Sequence, residues 1–183
     1  MKQHIGCYRR HYLNWEEQHK KLQPYQWEVP AQALTKIIKD QGFAVKQAPL
    51  GRGQLSEICW DTKSVLVDID FKRRLRYPHR SQEVLHSTLC YELAHIVLHL
   101  GKSYKSHHEI EAWVWSTLFL CPWWLIRNSL DYKSLESEAL TRKLQWQKVY
   151  GLAQWLEVSP TLVKMALDLY EIKSSPNFYR RAA

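Results

Sequence analysis

The chain is expected to fold as a predominantly helical α+β domain with a small antiparallel or mixed sheet. Three observations lead there. Two short runs, Ser56-Glu57-Ile58-Cys59-Trp60 and Ser64-Val65-Leu66-Val67-Asp68-Ile69, are separated only by Asp61-Thr62-Lys63, which reads as an antiparallel hairpin. Most of the chain beyond residue 80 consists of apolar helical runs punctuated by Gly101 and Pro122. At 183 residues, with 45% hydrophobic and 24% charged content, the chain has room for one domain with a real core and too little for two large ones.

Taken in order, residues 1–28 are polar, basic and aromatic without a clean period, and are expected to form an arm packed on the domain. Pro30 suits the first turn of a helix, Ala33, Leu34, Ile37 and Ile38 supply its apolar stripe, and Gly42 stops it. Residues 43–45 are extended, and the hairpin follows. The basic run Lys72-Arg73-Arg74-Leu75-Arg76 reads as a solvated loop ahead of a long helix, about 81–100, that Gly101 ends. A loop, 102–107, leads to a second apolar helix over 108–120, closed by Cys121-Pro122. Helices are then expected at roughly 135–150, 152–156 and 160–170, the last behind Ser159 as N-cap, before a frayed tail at 173–183. The domain proper is placed at 29–130, with 131–172 as its helical extension.

Composition narrows the function. No apolar run approaches the length that spans a bilayer, and the first ten residues lack the apolar core of a secretory signal, so a cytoplasmic protein without a membrane partner is expected. Cys7, Cys59, Cys90 and Cys121 show no paired spacing, which argues for free thiols over a disulfide framework or a cysteine zinc knuckle. A formal charge of +8 suits nucleic acid or an acidic partner, but the basic residues are dispersed, so nucleic acid is not favoured. Trp113, Trp115, Trp123 and Trp124 lie in or beside apolar helices and are read mostly as core.

The chemistry concentrates in Tyr91-Glu92-Leu93-Ala94-His95, with Leu98-His99 behind it. In a His-Glu-x-x-His helix two histidines one turn apart hold a metal and the glutamate activates a bound water. Here the first histidine is Tyr91. Glu92, His95 and His99 fall along one stripe of the helix, and Tyr91 lies about 40° to the side of His95. A third ligand is expected from the acidic start of the next helix, with Glu111 the first choice and Glu109 the second. His99 and His86 are alternative nitrogens, although Ile96 stands where a His95/His99 frame needs its glutamate.

These segments resemble the ImmA/IrrE metallopeptidase family, whose pattern runs H-E-L-G-H, then L-L-H, then a second helix E-A-N-x-F-A-x-x-L-L-M-P. The second helix has its counterpart here in the run from Glu111-Ala112-Trp113 to Cys121-Pro122, with the glutamate-to-proline spacing kept. A further family segment, L-A-x-x-F-x-V-S-x-x-x-V-x-x-R-L, is matched by Leu152-Ala153-Gln154-Trp155-Leu156-Glu157-Val158-Ser159 and the residues to Leu167. The likeness covers about residues 30–172 in the same order. It implies a zincin-like domain, a zinc ion, and cleavage of helix-turn-helix repressors. It also implies Glu92 as general base and His95 and Glu111 as zinc ligands.

Tyr91 changes that expectation. A free phenol has a pKa near 10 and must lose a proton to bind metal. If a structural zinc site contributes roughly 10–16 kcal/mol over four ligands, losing one good ligand removes on the order of 3 kcal/mol, a hundredfold in affinity. Zinc is therefore expected to be weak or absent. Tyr91 as a phenolate ligand ranks below Tyr91 as a packed aromatic whose hydroxyl bonds His95 or Glu111. The favoured reading is a degenerate peptidase domain acting as a regulatory binding protein on a transcription regulator or mobile-element system. An active zinc endopeptidase cleaving a helix-turn-helix repressor comes second. DNA binding through the C-terminal helices comes third, because Glu157 occupies a turn position that favours glycine and the second helix offers only Lys164 as a basic contact.

Overall fold

The structure is a computed structural model, described over residues 31–75, 78–122 and 142–169 together with Trp15, His19, Lys21, Leu125 and Ile126. Most of the N-terminal arm, the expected helix start at 135, Trp123, Trp124 and the tail lie outside the described residues.

Helix α1, Ala31–Asp40, buries Ala33, Leu34, Ile37 and Ile38, as the stripe predicts. Gly42, at φ +84°, lets the chain turn back so that its own N–H reaches Lys39 O and the Phe43 N–H reaches Ile38 O. This paired closure satisfies carbonyls that a helix end otherwise strands. Strands β1 (Ala44–Ala48), β2 (Ser56–Cys59) and β3 (Ser64–Asp68) form one mixed sheet in the order β1-β3-β2. The expected hairpin is the antiparallel β2/β3 pair, and β1 runs parallel to β3 on its other side. The central strand β3 buries Val65 and Val67.

The basic run is more than a solvated loop. Phe71–Arg74 forms a helical turn, α2, anchored by buried Phe71. The Arg74 guanidinium lies 3.0 Å from the fully buried Asp68 carboxylate and donates to the carbonyls of Leu50 and Gly51. Asp68 also accepts N–H bonds from Leu50 and Asp70. A buried carboxylate is stable only when its charge is paired and its lone pairs are used, and here it ties the loop before β2 to the end of β3.

After a short 3₁₀ turn, Pro78–Arg80, helix α3 runs from Ser81 to His99 through the centre of the molecule. It packs on α1, on β2 and on α4, His107–Leu120. Because neighbours cover it on several sides, its buried residues extend round the helix instead of forming one stripe. Gly101, at φ +75°, ends it where expected. Trp115 and Phe119 of α4 stack 4.9 Å apart in the core, whereas Trp113 is 40% exposed, contrary to its reading as core. Trp15 and His19 of the arm are buried, and His19 sets its ring edge-on against Trp115 and Phe119.

Helices α5 (Arg142–Trp155) and α6 (Pro160–Leu169) pair with each other, and α6 packs on α4. The break expected near Gly151 does not occur. A mid-helix glycine costs only about 1 kcal/mol, and burial of Val149, Leu152 and Ala153 on one face outweighs it. Ser159 caps α6 as expected, its Oγ accepting the Leu162 N–H. Cys59, Cys90 and Cys121 are free thiols, the last two buried. No helix among the described residues is long and apolar enough to cross a membrane.

Candidate metal centre

The end of α3, the start of α4 and the outer edge of β2 enclose a cleft of about 520 Å³. Glu92, His95 and His99 reach it from α3, His108 and Glu109 from α4, and Glu57 and Trp60 from the strand side. Close packing of α3 on α4 brings the two ligand-rich helix segments together, and Gly101 turns the chain so that the second helix starts beside the end of the first.

The site residues divide into two groups. In the first, His99 Nε2 lies 3.0 Å from Glu111 Oε2, and the His99 ring stacks on His108 at 4.0 Å between centroids. One donor atom from each of His99, His108 and Glu111 falls within 4.8 Å of the others, so this group could hold a metal ion. Both histidines are buried and Glu111 is partly so. The Lys105 N–H, 3.3 Å from His108 Nδ1, helps orient that ring. Two donors each about 2.0–2.2 Å from a zinc-sized ion stand roughly 3 Å apart, so the His99–Glu111 pair already has the required spacing and His108 needs a modest approach.

In the second group, the Tyr91 hydroxyl donates to Glu109 Oε2, and the ring packs between Trp113, at 4.7 Å, and His95, at 4.8 Å. His95 Nε2 is 3.8 Å from Glu109 Oε1, too far for a hydrogen bond. Burial first, then the hydrogen bond to Glu109 and the nearby carboxylates, push the Tyr91 phenol well above its ordinary pKa, so the neutral phenol is strongly favoured. Tyr91 is therefore the packed aromatic the sequence suggests, with one correction. Its hydroxyl partner is Glu109, not His95 or Glu111.

A 3.1 Å contact between His95 Nδ1 and His99 Nδ1 joins the two groups. With the Glu111 carboxylate accepting, the His99 proton sits on Nε2 and His99 Nδ1 accepts from His95 Nδ1–H, and a metal ion held between His99 and Glu111 would take the place of that proton. His95 Nε2 then keeps its lone pair. Burial holds His95 below the usual histidine pKa despite the opposing pull of Glu109, so the ring is neutral near pH 7.

Glu92 lies deeper in the cleft and accepts a hydrogen bond from Ser56 of β2. Burial raises its pKa to about 7, with the charges of Glu109 and Glu57 adding to that rise and the Ser56 bond opposing it. His86 turns away, its Nδ1 lying 2.8 Å from Glu157 O at the α5–α6 turn.

The expected pairing of His95 with Glu111 is thus divided between two clusters: Glu111 meets His99, and His95 faces Glu109. His108 and Ser56 escaped the sequence reading. The spacing of His108 and Glu111, three residues apart on one helix face, was a signal available for the first. Ser56 carried none, because only the placement of β2 against α3 brings it to Glu92. No known protein family, characterised protein or solved structure matches the chain.

Proposed function

We propose that the protein is a zinc-peptidase-like domain of ImmA/IrrE type whose metal site has moved one helical turn along α3. In this reading it acts by binding a protein partner, of the helix-turn-helix regulator class, in transcription or mobile-element control. One observation carries the proposal. At the position of the first metal-binding histidine stands Tyr91, bonded to Glu109, while the compact donor set is His99, His108 and Glu111. Those three residues would hold a divalent ion, zinc by its preference for imidazole and carboxylate donors. In this arrangement the carboxylate that accompanies a peptidase metal, Glu92, is engaged with Ser56.

The test is metal titration and proteolysis together. Purified protein should bind one zinc per chain weakly, and His108→Ala or Glu111→Gln should weaken binding by about a hundredfold, the worth of one good ligand. His95→Ala should change it far less. Zinc-loaded protein should leave helix-turn-helix repressors intact while still associating with its partner. Tight zinc held through His95, or repressor cleavage abolished by Glu92→Gln, would overturn the proposal in favour of an active peptidase. That second reading has one observation in its favour, the position of Glu92 in the same cleft as the donor set.

A further inference from the structure

The loop before β2 and the basic turn α2 are fastened into one corner of the molecule. The Gln54 N–H reaches Gly51 O at 3.1 Å and Gly53 stands at φ +87°, which makes 51–54 a β-turn of the kind that favours glycine in third place. Arg52 occupies its apex and is exposed. The N–H groups of Arg52 and Gly53 take no acceptor among the described residues. This turn is held in place by Arg74, whose guanidinium donates to the carbonyls of Leu50 and Gly51 and pairs with the buried Asp68. A buried ion pair contributes little net stability, because both charges must be dehydrated to form it. What Asp68 and Arg74 supply is position: they tie the Arg52 turn to the segment that carries Lys72 and Arg73.

Arg52 follows directly on a residue that Arg74 binds, and Lys72 and Arg73 directly precede Arg74, so three exposed cations are gathered at this corner. Cations brought together in this way raise the local positive potential of a chain that already carries a formal charge of +8. Counter-charge is scarce. Asp68 is taken by Arg74, and the exposed Asp70 lies 3.4 Å from Arg73, whose side chain is still 87% exposed. Arg52 and Lys72 make no ion pair among the described residues. None of these residues lines the cleft of the metal centre.

We propose that this corner binds the phosphate backbone of nucleic acid without regard to base sequence. The guanidinium forks of Arg52 and Arg73 suit phosphate oxygens, Lys72 adds a point charge, and the backbone donors at the turn apex serve the phosphate that Arg52 engages. A phospholipid surface also offers phosphates, but lasting attachment there needs apolar insertion as well as charge. Ile69 is the one large apolar side chain exposed next to the cluster among the described residues, which favours nucleic acid.

Fluorescence anisotropy of a labelled DNA duplex, titrated with the full chain at salt concentrations from about 50 to 200 mM, tests this. Wild type should bind, with the logarithm of affinity falling linearly with the logarithm of salt concentration. Arg52→Gln, Lys72→Gln and Arg73→Gln combined should weaken binding about tenfold or more at the lowest salt and reduce the slope by about 2.7, since each phosphate contact contributes about 0.9. A second triple variant, Lys39→Gln, Lys63→Gln and Lys105→Gln, removes the same charge from exposed positions near the start of β1 and beyond the end of α3. It should stay within about threefold of wild type with an unchanged slope, because charges far from the contact are screened. Absence of duplex binding at the lowest salt, equal weakening in the two variants, or capture by phosphatidylserine vesicles without duplex binding overturns the proposal.

Discussion

In the proposed reading a single side chain, Tyr91, redirects the site. A histidine there would carry a neutral lone pair toward the cleft, whereas the phenol keeps its proton and donates it to Glu109. Glu109 is thereby occupied, and the donors left in close mutual reach are His99, His108 and Glu111. The expected consequence is that Tyr91→Phe leaves zinc affinity within about twofold of wild type and costs only about 1 kcal/mol of stability, the usual worth of one hydrogen bond. A loss of zinc binding as large as that of His108→Ala, measured by competition with a chromophoric chelator, would make Tyr91 a ligand after all. The run of histidine and glutamate donors on α3 and the start of α4 was legible in the sequence as a candidate site, and its reading as a peptidase frame belongs to the proposal. The pairing of donors across two helices was not legible, because the rotation of α4 against α3 decides which of Glu109 and Glu111 meets which partner, and sequence spacing carries no information about that rotation.

Among the elements, the turn between α5 and α6 combines a sequence anomaly with its structural cost. Glu157 stands at φ +52°, in the left-handed region that closes a helix and that glycine occupies without strain. Its N–H reaches Gln154 O, and the Val158 N–H reaches Ala153 O, the same closure that Gly42 makes at the end of α1. The side chain of Glu157 is exposed, so nothing is lost in packing by its removal. Glu157→Gly should therefore stabilise the protein by about 1 kcal/mol, read as a higher midpoint in urea with an unchanged slope. An unchanged or lower midpoint would mean that the greater freedom of glycine in the unfolded chain offsets the strain it relieves. The ends of α1, α3 and α6 were readable in advance from Gly42, Gly101 and Ser159, since each end needs a residue with one particular backbone or hydroxyl capability. The uninterrupted course of α5 through Gly151 was not, because burial of its apolar face outweighs local propensity.

At the scale of the whole molecule, the arm is joined to the core by a titratable group. His19 is buried against Trp115 and Phe119, and burial lowers its pKa to about 3 from 6.5. Between those values the unfolded chain holds a proton that the folded chain does not. Stability should therefore fall as pH drops below 6.5, by up to about 1.4 kcal/mol per pH unit, and the loss should level off near pH 3. In His19→Phe, denaturant midpoints between pH 6 and pH 4 should fall less steeply than in wild type, and parallel slopes would exclude His19 as the source. By itself the sequence determined the α+β class, the hairpin, the principal helices and the presence of a histidine- and glutamate-rich seam, because backbone propensity, hydrophobic period and capping chemistry are local. Only the tertiary structure decided that Asp68 closes on Arg74, that β1 joins the sheet in parallel, that Ser56 meets Glu92 and that His108 joins His99 and Glu111. Each of these depends on elements far apart in the chain being brought together by the packing of one core, and that geometry belongs to the assembled fold.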